Sequence, residues 1–76
     1  MNDERNILED LNTVHPRMLA EAVLQADLRN KGCGLSLTDM RNHLDRLESK
    51  GQVVIVGGED VTRIKITAAG IARLAE

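Results

Sequence analysis

Apolar positions recur along the chain at helical spacing in three places and at strand spacing in one. Ile7, Leu8 and Leu11 fall at i, i+1, i+4, which predicts a short helix over 3–12 with one apolar face. Asp3 and Glu4 suit the positive end of its dipole. Pro16 fits the first position of a second helix, predicted over 16–30. There Arg17, Glu21, Gln25 and Arg29 fall four apart as one polar stripe. Met18, Leu19, Ala20, Ala22, Val23, Leu24, Ala26 and Leu28 fill the rest. So narrow a stripe predicts a helix packed on most sides. Gly32 is placed to end it in a left-handed turn.

Ser36-Leu-Thr-Asp39 then matches a capping box, with Ser36 as N-cap and Asp39 reaching back. Leu37, Met40, Leu44 and Leu47 line one face of the helix 36–50, and Gly51 ends it as Gly32 ends the one before. Next, the β-rich runs 52–56 and 61–67 flank Gly57-Gly58-Glu59-Asp60, which predicts a hairpin. In its second strand Thr62, Ile64 and Ile66 point one way and Val61, Arg63 and Lys65 the other. Thr67 can cap a last helix, 68–75, packed through Ile71 and Leu74. The predicted class is α+β: three helices, a two-stranded hairpin and a short C-terminal helix, in one domain spanning 1–76.

Composition removes several functions. A chain of 76 residues buries about 60% of its unfolded surface. It contains no Phe, Tyr or Trp, so the core must be aliphatic. That same absence argues against single-stranded nucleic acid, whose bases are gripped by stacking on aromatic rings. Cys33 stands alone and His15 and His43 are far apart, so neither a disulfide nor a metal site is expected, nor any cofactor. His43 is expected to contact Asp39, one turn back. No nucleophile–base spacing or phosphate-cradling glycine loop is present, and no enzymatic activity is expected. The start of the chain lacks a signal-peptide core and no run would span a bilayer, so a cytoplasmic protein is expected. Net charge is −2, concentrated in Asp3, Glu4, Glu9 and Asp10; a nucleic-acid face would have to be a local patch.

The stretch LSLTDMRNHLDRLESKGQVVIV, the hairpin after it and the ending ITAAGIARLAE resemble the winged helix-turn-helix regulators of the ArsR and MarR kind. The likeness covers 35–76; residues 3–30 match only as generic helices. It implies that helix 36–50 enters the major groove of double-stranded DNA and that 57–60 tips the wing. At 100° per residue the face opposite Leu37, Met40, Leu44 and Leu47 carries Thr38, Asn42, Arg46 and Ser49, flanked by Asp39 and Asp45. The candidate DNA-binding residues are Ser36, Thr38, Arg41, Asn42 and Arg46 on the helix, with Arg63 and Lys65 on the wing. Asn42 suits adenine and Arg46 suits guanine, each pairing being worth about 1–3 kcal/mol of discrimination. Thr38 would reach a phosphate or a thymine methyl, and the four cations would anchor phosphates.

The acids depart from that pattern. Asp45 neighbours Arg41 at i,i+4, and Glu59 and Asp60 at the wing tip would repel phosphates. Two readings follow: a sequence-specific transcriptional regulator, or a winged-helix adaptor that binds protein, such as a phage or bacterial accessory protein. In the first, a homodimer reading two half-sites would add contacts. Ile7, Leu8 and Leu11, or Ile71 and Leu74, are candidate dimer surfaces, with intramolecular core as the plain alternative. An ordinary solvated face is the plain reading of the helix cations, and protection of a sheet edge that of Arg63 and Lys65.

Overall fold

The computed structural model describes residues 3–76. Helix α1 spans Asp3–Thr13 and buries Ile7, Leu8 and Leu11 completely. Burial of each is worth about 2 kcal/mol, which lets so short a helix persist. Thr13 ends it by donating its hydroxyl to the Asp10 carbonyl at 2.6 Å. A turn through the cis His15–Pro16 peptide follows.

The predicted helix 16–30 is corrected here. Leu19–Ala20 form a short strand, β1, and helix α2 runs only over Glu21–Asn30. Strand β1 pairs antiparallel with the second hairpin strand, setting Leu19 opposite Ile64 and Ala20 opposite Arg63. Pairing gives the free edge of that strand backbone partners and places Leu19 in the core. The sheet therefore has three strands, in the order β1-β3-β2, rather than two.

Helix α2 is also turned differently from the expected packing. It buries only Leu24 and Leu28, while Val23 is 47% exposed. Two members of the polar stripe face inward: Gln25 donates to the Leu35 carbonyl at 3.1 Å, and Glu21 reaches helix α3.

Helix α3 spans Leu37–Ser49 and buries Met40, Leu44 and Leu47. Ser36 caps it, accepting from the Asp39 amide at 3.1 Å. Among the described residues Asp39 makes no return bond, so the expected capping box is half formed. Both α2 and α3 end in the same doubly bonded turn. After α2 the amides of Gly32 and Cys33 donate to Arg29 and Leu28; after α3 those of Gly51 and Gln52 donate to Glu48 and Leu47. Gly32 and Gly51 have φ of 80° and 72°, the left-handed region that such turns demand.

Strands β2, Val53–Gly57, and β3, Thr62–Ile66, form the hairpin, with Val54 opposite Lys65 and Val56 opposite Arg63. Helix α4, Ala68–Leu74, starts at the Thr-x-x-Gly sequence, and the structure explains both residues. The Thr67 hydroxyl donates to the Gly51 carbonyl and accepts from the Gly70 amide. A side chain at Gly70 would collide with the Gln52 carbonyl and with Ile66. That glycine lets α4 close on the foot of the hairpin.

One aliphatic cluster joins all these elements, including Val53, Ile64 and Ile66 from the sheet. Ile7, Leu8 and Leu11 lie inside it and Ile71 and Leu74 pack against it. The candidate dimer surfaces are thus largely intramolecular core. At the α1–α2 seam Asp10 is buried, and Lys31 Nζ lies 2.9 Å from its Oδ1. Its Oδ2 meets no donor among the described residues. Nearby, burial raises the Asp27 carboxyl above its ordinary value, and hydrogen bonding to Asp10 raises it further.

Candidate nucleic-acid interface

Helix α2, the glycine turn and α3 make a helix-turn-helix, and the β2–β3 hairpin follows as a wing, with β1 from before α2 paired to its β3 edge. The core seam of α3 runs through Met40, Leu44 and Leu47, so at 100° per residue its outer ridge falls on Thr38, Asn42, Asp45 and Ser49. All four are exposed. Arg46, expected on that ridge, is turned to its flank toward α1. Thr38 and Asn42 sit one turn apart, and their side chains have no hydrogen-bond partner among the described residues.

The flanks of α3 are engaged. On one, Glu4 of α1 gathers cations from two helices. Its Oε2 lies 3.2 Å from Arg46 Nε, and its Oε1 lies 3.3 Å from both Lys50 Nζ and Arg73 Nη1. His43 also faces α1, with Nδ1 at 3.6 Å from Glu4 and Nε2 at 3.8 Å from Asp3. The expected His43–Asp39 contact is therefore not made; the ring lies on the side of α3 that α1 covers. Burial would raise the Glu4 carboxyl, but hydrogen bonds from Arg73 and Lys50 and the Lys50 charge outweigh it. The group is held at about 2, below its usual 4.5.

On the other flank Arg41 is held by a fork to Glu21, with Nε–Oε2 at 3.1 Å and Nη2–Oε1 at 3.0 Å. Hydrogen bonding to Glu21 and its charge raise the Arg41 pKa further. The neutralising partner expected at Asp45 is thus Glu21, from the neighbouring helix. Glu48 turns to the sheet, where its carboxylate accepts from the Ile55 amide at 3.3 Å. An open hollow between α3 and the wing is lined by Glu21, Arg41, Leu44, Asp45, Ile55 and Thr62.

Ser36 is exposed at the helix start, its oxygen taken as a cap while its O–H remains a donor. On the outer face of the sheet Arg63 is exposed and Lys65 half-buried. Neither has an ion pair among the described residues. Val54 and Val56 beside them are 45% and 47% exposed. Glu59 and Asp60 occupy the loop at the wing tip, where the Gly58 amide donates to the Val61 carbonyl at 2.9 Å.

The seven sequence candidates therefore fall into three pairs, with Ser36 alone. Thr38 and Asn42 lie on one open strip along α3, and Ser36 stands apart from it at the N-cap. Arg41 and Arg46 stand beside it, tied back to α2 and α1. Arg63 and Lys65 lie apart on the wing. Glu4 and Glu21, which hold the two arginines, carry no local signal in the sequence.

A helix-turn-helix whose second helix leads into an antiparallel hairpin defines the winged helix-turn-helix class. The chain is similar to H. salinarum RosR, solved in a form grown from NaBr. The TM-score is 0.83 at 17% identity, covering 99% of this chain and 67% of that one. At this identity the likeness shows the fold. No protein-family profile matches the sequence, and no curated protein matches it. Among the described residues no helix is long and apolar enough to cross a membrane.

Proposed function

We propose that residues 1–76 form one winged-helix domain that binds double-stranded DNA in a sequence-specific manner and works in the cytoplasm as a small transcriptional regulator. The observation that carries this reading is the open strip of α3. Thr38 and Asn42 are exposed on a convex ridge, without side-chain hydrogen bonds among the described residues, directly opposite the buried seam of a helix-turn-helix. A helix about 10–12 Å across fits a B-DNA major groove about 12 Å wide. The winged helix-turn-helix fold, shared with RosR, is compatible with the same reading.

In this account Asn42 reads adenine by a bidentate bond and Thr38 contacts a phosphate or thymine methyl beside it. Ser36 donates its hydroxyl to the backbone. Arg63 and Lys65, without ion-pair partners among the described residues, are the wing's phosphate anchors, set behind the acidic tip. Arg41 is bound to Glu21 and contributes less to phosphate binding than its exposure suggests. Few contacts come from one such module, so two copies on adjacent half-sites would raise the affinity.

The test is selection from a random duplex pool at low salt, repeated with Asn42→Ala. Enrichment of a defined sequence by the native protein, lost in Asn42→Ala while general affinity is kept, supports the reading. Absence of any enrichment removes it.

One observation favours the adaptor reading. Val54 and Val56 alternate across the strands with Lys65 and Arg63 on an uncovered sheet face. An apolar, basic face of this kind suits an acidic aliphatic segment of a partner protein. The acidic N-terminus no longer favours it, because Glu4 and Asp10 are used inside the fold.

A further inference from the structure

We infer that Glu4 is a positioning residue for base recognition: it holds the Arg46 guanidinium by one edge so that the opposite edge faces the groove already oriented. This rests on the DNA-binding reading above and names a residue of α1, outside the helix-turn-helix, as part of its specificity.

The geometry is specific. Arg46 Nε donates to Glu4 Oε2 at 3.2 Å, and Nη2 lies 3.0 Å from His43 Nδ1. An imidazole bearing its proton on Nε2 accepts at Nδ1 and points its N–H toward Asp3, 3.8 Å away. These two bonds occupy Nε and one hydrogen of Nη2. A guanidinium has five N–H donors in a rigid plane, so the Nη1 pair and the second Nη2 hydrogen stay free. Nη1 has no partner among the described residues, so the distal edge, the one that matches guanine O6 and N7, keeps at least its Nη1 donor. The side chain is 57% exposed although it is anchored, while Glu4 itself is 14% exposed. Residue 46 also stands one helical turn beyond Asn42 on the same side of α3, so the two would address neighbouring bases.

Fixing the side chain beforehand matters because a free arginine loses rotamer entropy when it is ordered on a base. Glu4 does not cancel the local charge. Arg46, Lys50 and Arg73 surround it, and with Asp3 counted the cluster is still net positive. A carboxylate held ionised in that setting orients the arginine without making the surface repel phosphate.

The experiment compares the native protein, Glu4→Gln, Glu4→Ala, Arg46→Ala, the double variant Glu4→Ala/Arg46→Ala, and Arg73→Leu. Each is titrated well below its melting temperature against the selected duplex and against single-base-pair changes in it. Arg46→Ala identifies the base pair that Arg46 reads. Glu4→Ala is expected to lose about tenfold in discrimination at that same pair, with a smaller loss in Glu4→Gln. In the Arg46→Ala background the Glu4 change is expected to alter no preference. Arg73→Leu, which removes a different Glu4 contact, is expected to lower stability and leave the preference intact.

An equal change in affinity for every duplex on Glu4 replacement, upward or downward, overturns the inference: upward makes Glu4 a competitor of DNA, downward makes it only structural. Either leaves the DNA-binding reading standing, because the native protein still selects a sequence. A native protein that selects none overturns the reading and this inference together.

Discussion

Arg46 and Arg63 are both exposed arginines on the surface proposed to meet DNA, and they are held in opposite ways. Arg46 is bonded to Glu4 and flanked by His43, on a helix gripped by α1. Arg63 lies on the outer sheet face with no partner among the described residues. The tied cation has a fixed direction and suits discrimination between bases. The untied one has reach and suits a phosphate, which presents oxygens from many angles. Exposure alone would rate the two equally; their partners separate them.

That contrast can be broken or sharpened by substitution. The largest effect is expected at the joint holding the two regions in register. Gly70→Ala should cost at least about 2 kcal/mol in chemical denaturation, because its methyl group meets backbone at Gln52 and the packed Ile66 and Leu8 side chains. DNA affinity should then weaken for every sequence at once. Next comes Glu4→Ala, expected to cost about 2 kcal/mol as charged hydrogen bonds to α3 and α4 are lost. Arg63→Ala should stay within about 0.5 kcal/mol of the native protein in the same measurement. Equal losses in those two variants would erase the distinction between tied and untied.

Acid titration separates the regions further. Glu4 is depressed from 4.5 to about 2, so the stability it confers is present above pH 4.5 and is lost as pH falls through about 2. Glu4→Gln should flatten that acid limb, and Arg63→Ala should leave it unchanged. Asp27 has the opposite sign: its carboxyl is raised, so the stability tied to its protonated form is lost as pH rises through its folded-state value. Asp27→Asn removes the ionisable carboxyl and should remove that loss, seen as a higher melting temperature at neutral pH. The smallest effect belongs to the wing. Arg63→Ala and Lys65→Ala should each reduce the slope of log affinity against log salt by about 1, without changing which sequence is preferred.

Much of the framework could be read from the chain because its ends are marked locally. Ser36, Thr67, Gly32 and Gly51 each cap or terminate an element within a few residues of its apolar repeat, and α1, α3, the hairpin and α4 fall close to their expected spans. Strand β1 could not be read so. Two residues carry no period, and an apolar run such as Met18-Leu19-Ala20 fits a buried helix as well as a strand. What decided it was the unpaired edge of β3, more than forty residues on along the chain.

Thr38, Asn42 and Ser49 of the surface strip on α3 follow from helical geometry, whereas the exchange of Arg46 for Asp45 on it does not. The partners of the two α3 arginines were not legible either. Arg46 meets Glu4 across 42 residues and Arg41 meets Glu21 across 20, and neither pairing leaves a spacing rule behind. The i,i+4 rule instead pointed Arg41 to Asp45 and His43 to Asp39, neighbours that lost to carboxylates from other helices. Only the packing of α1 and α2 against α3 shows which cations are already engaged.

The most direct measurement is a titration of the isotope-labelled protein with its selected duplex, followed through backbone and side-chain amide resonances. The account predicts the largest shifts at residues 36–46, including the Asn42 side-chain amide, with a second set at 61–65. Shifts confined to the wing loop 57–60 or to the exposed face of α2, with residues 38 and 42 unmoved, would contradict it.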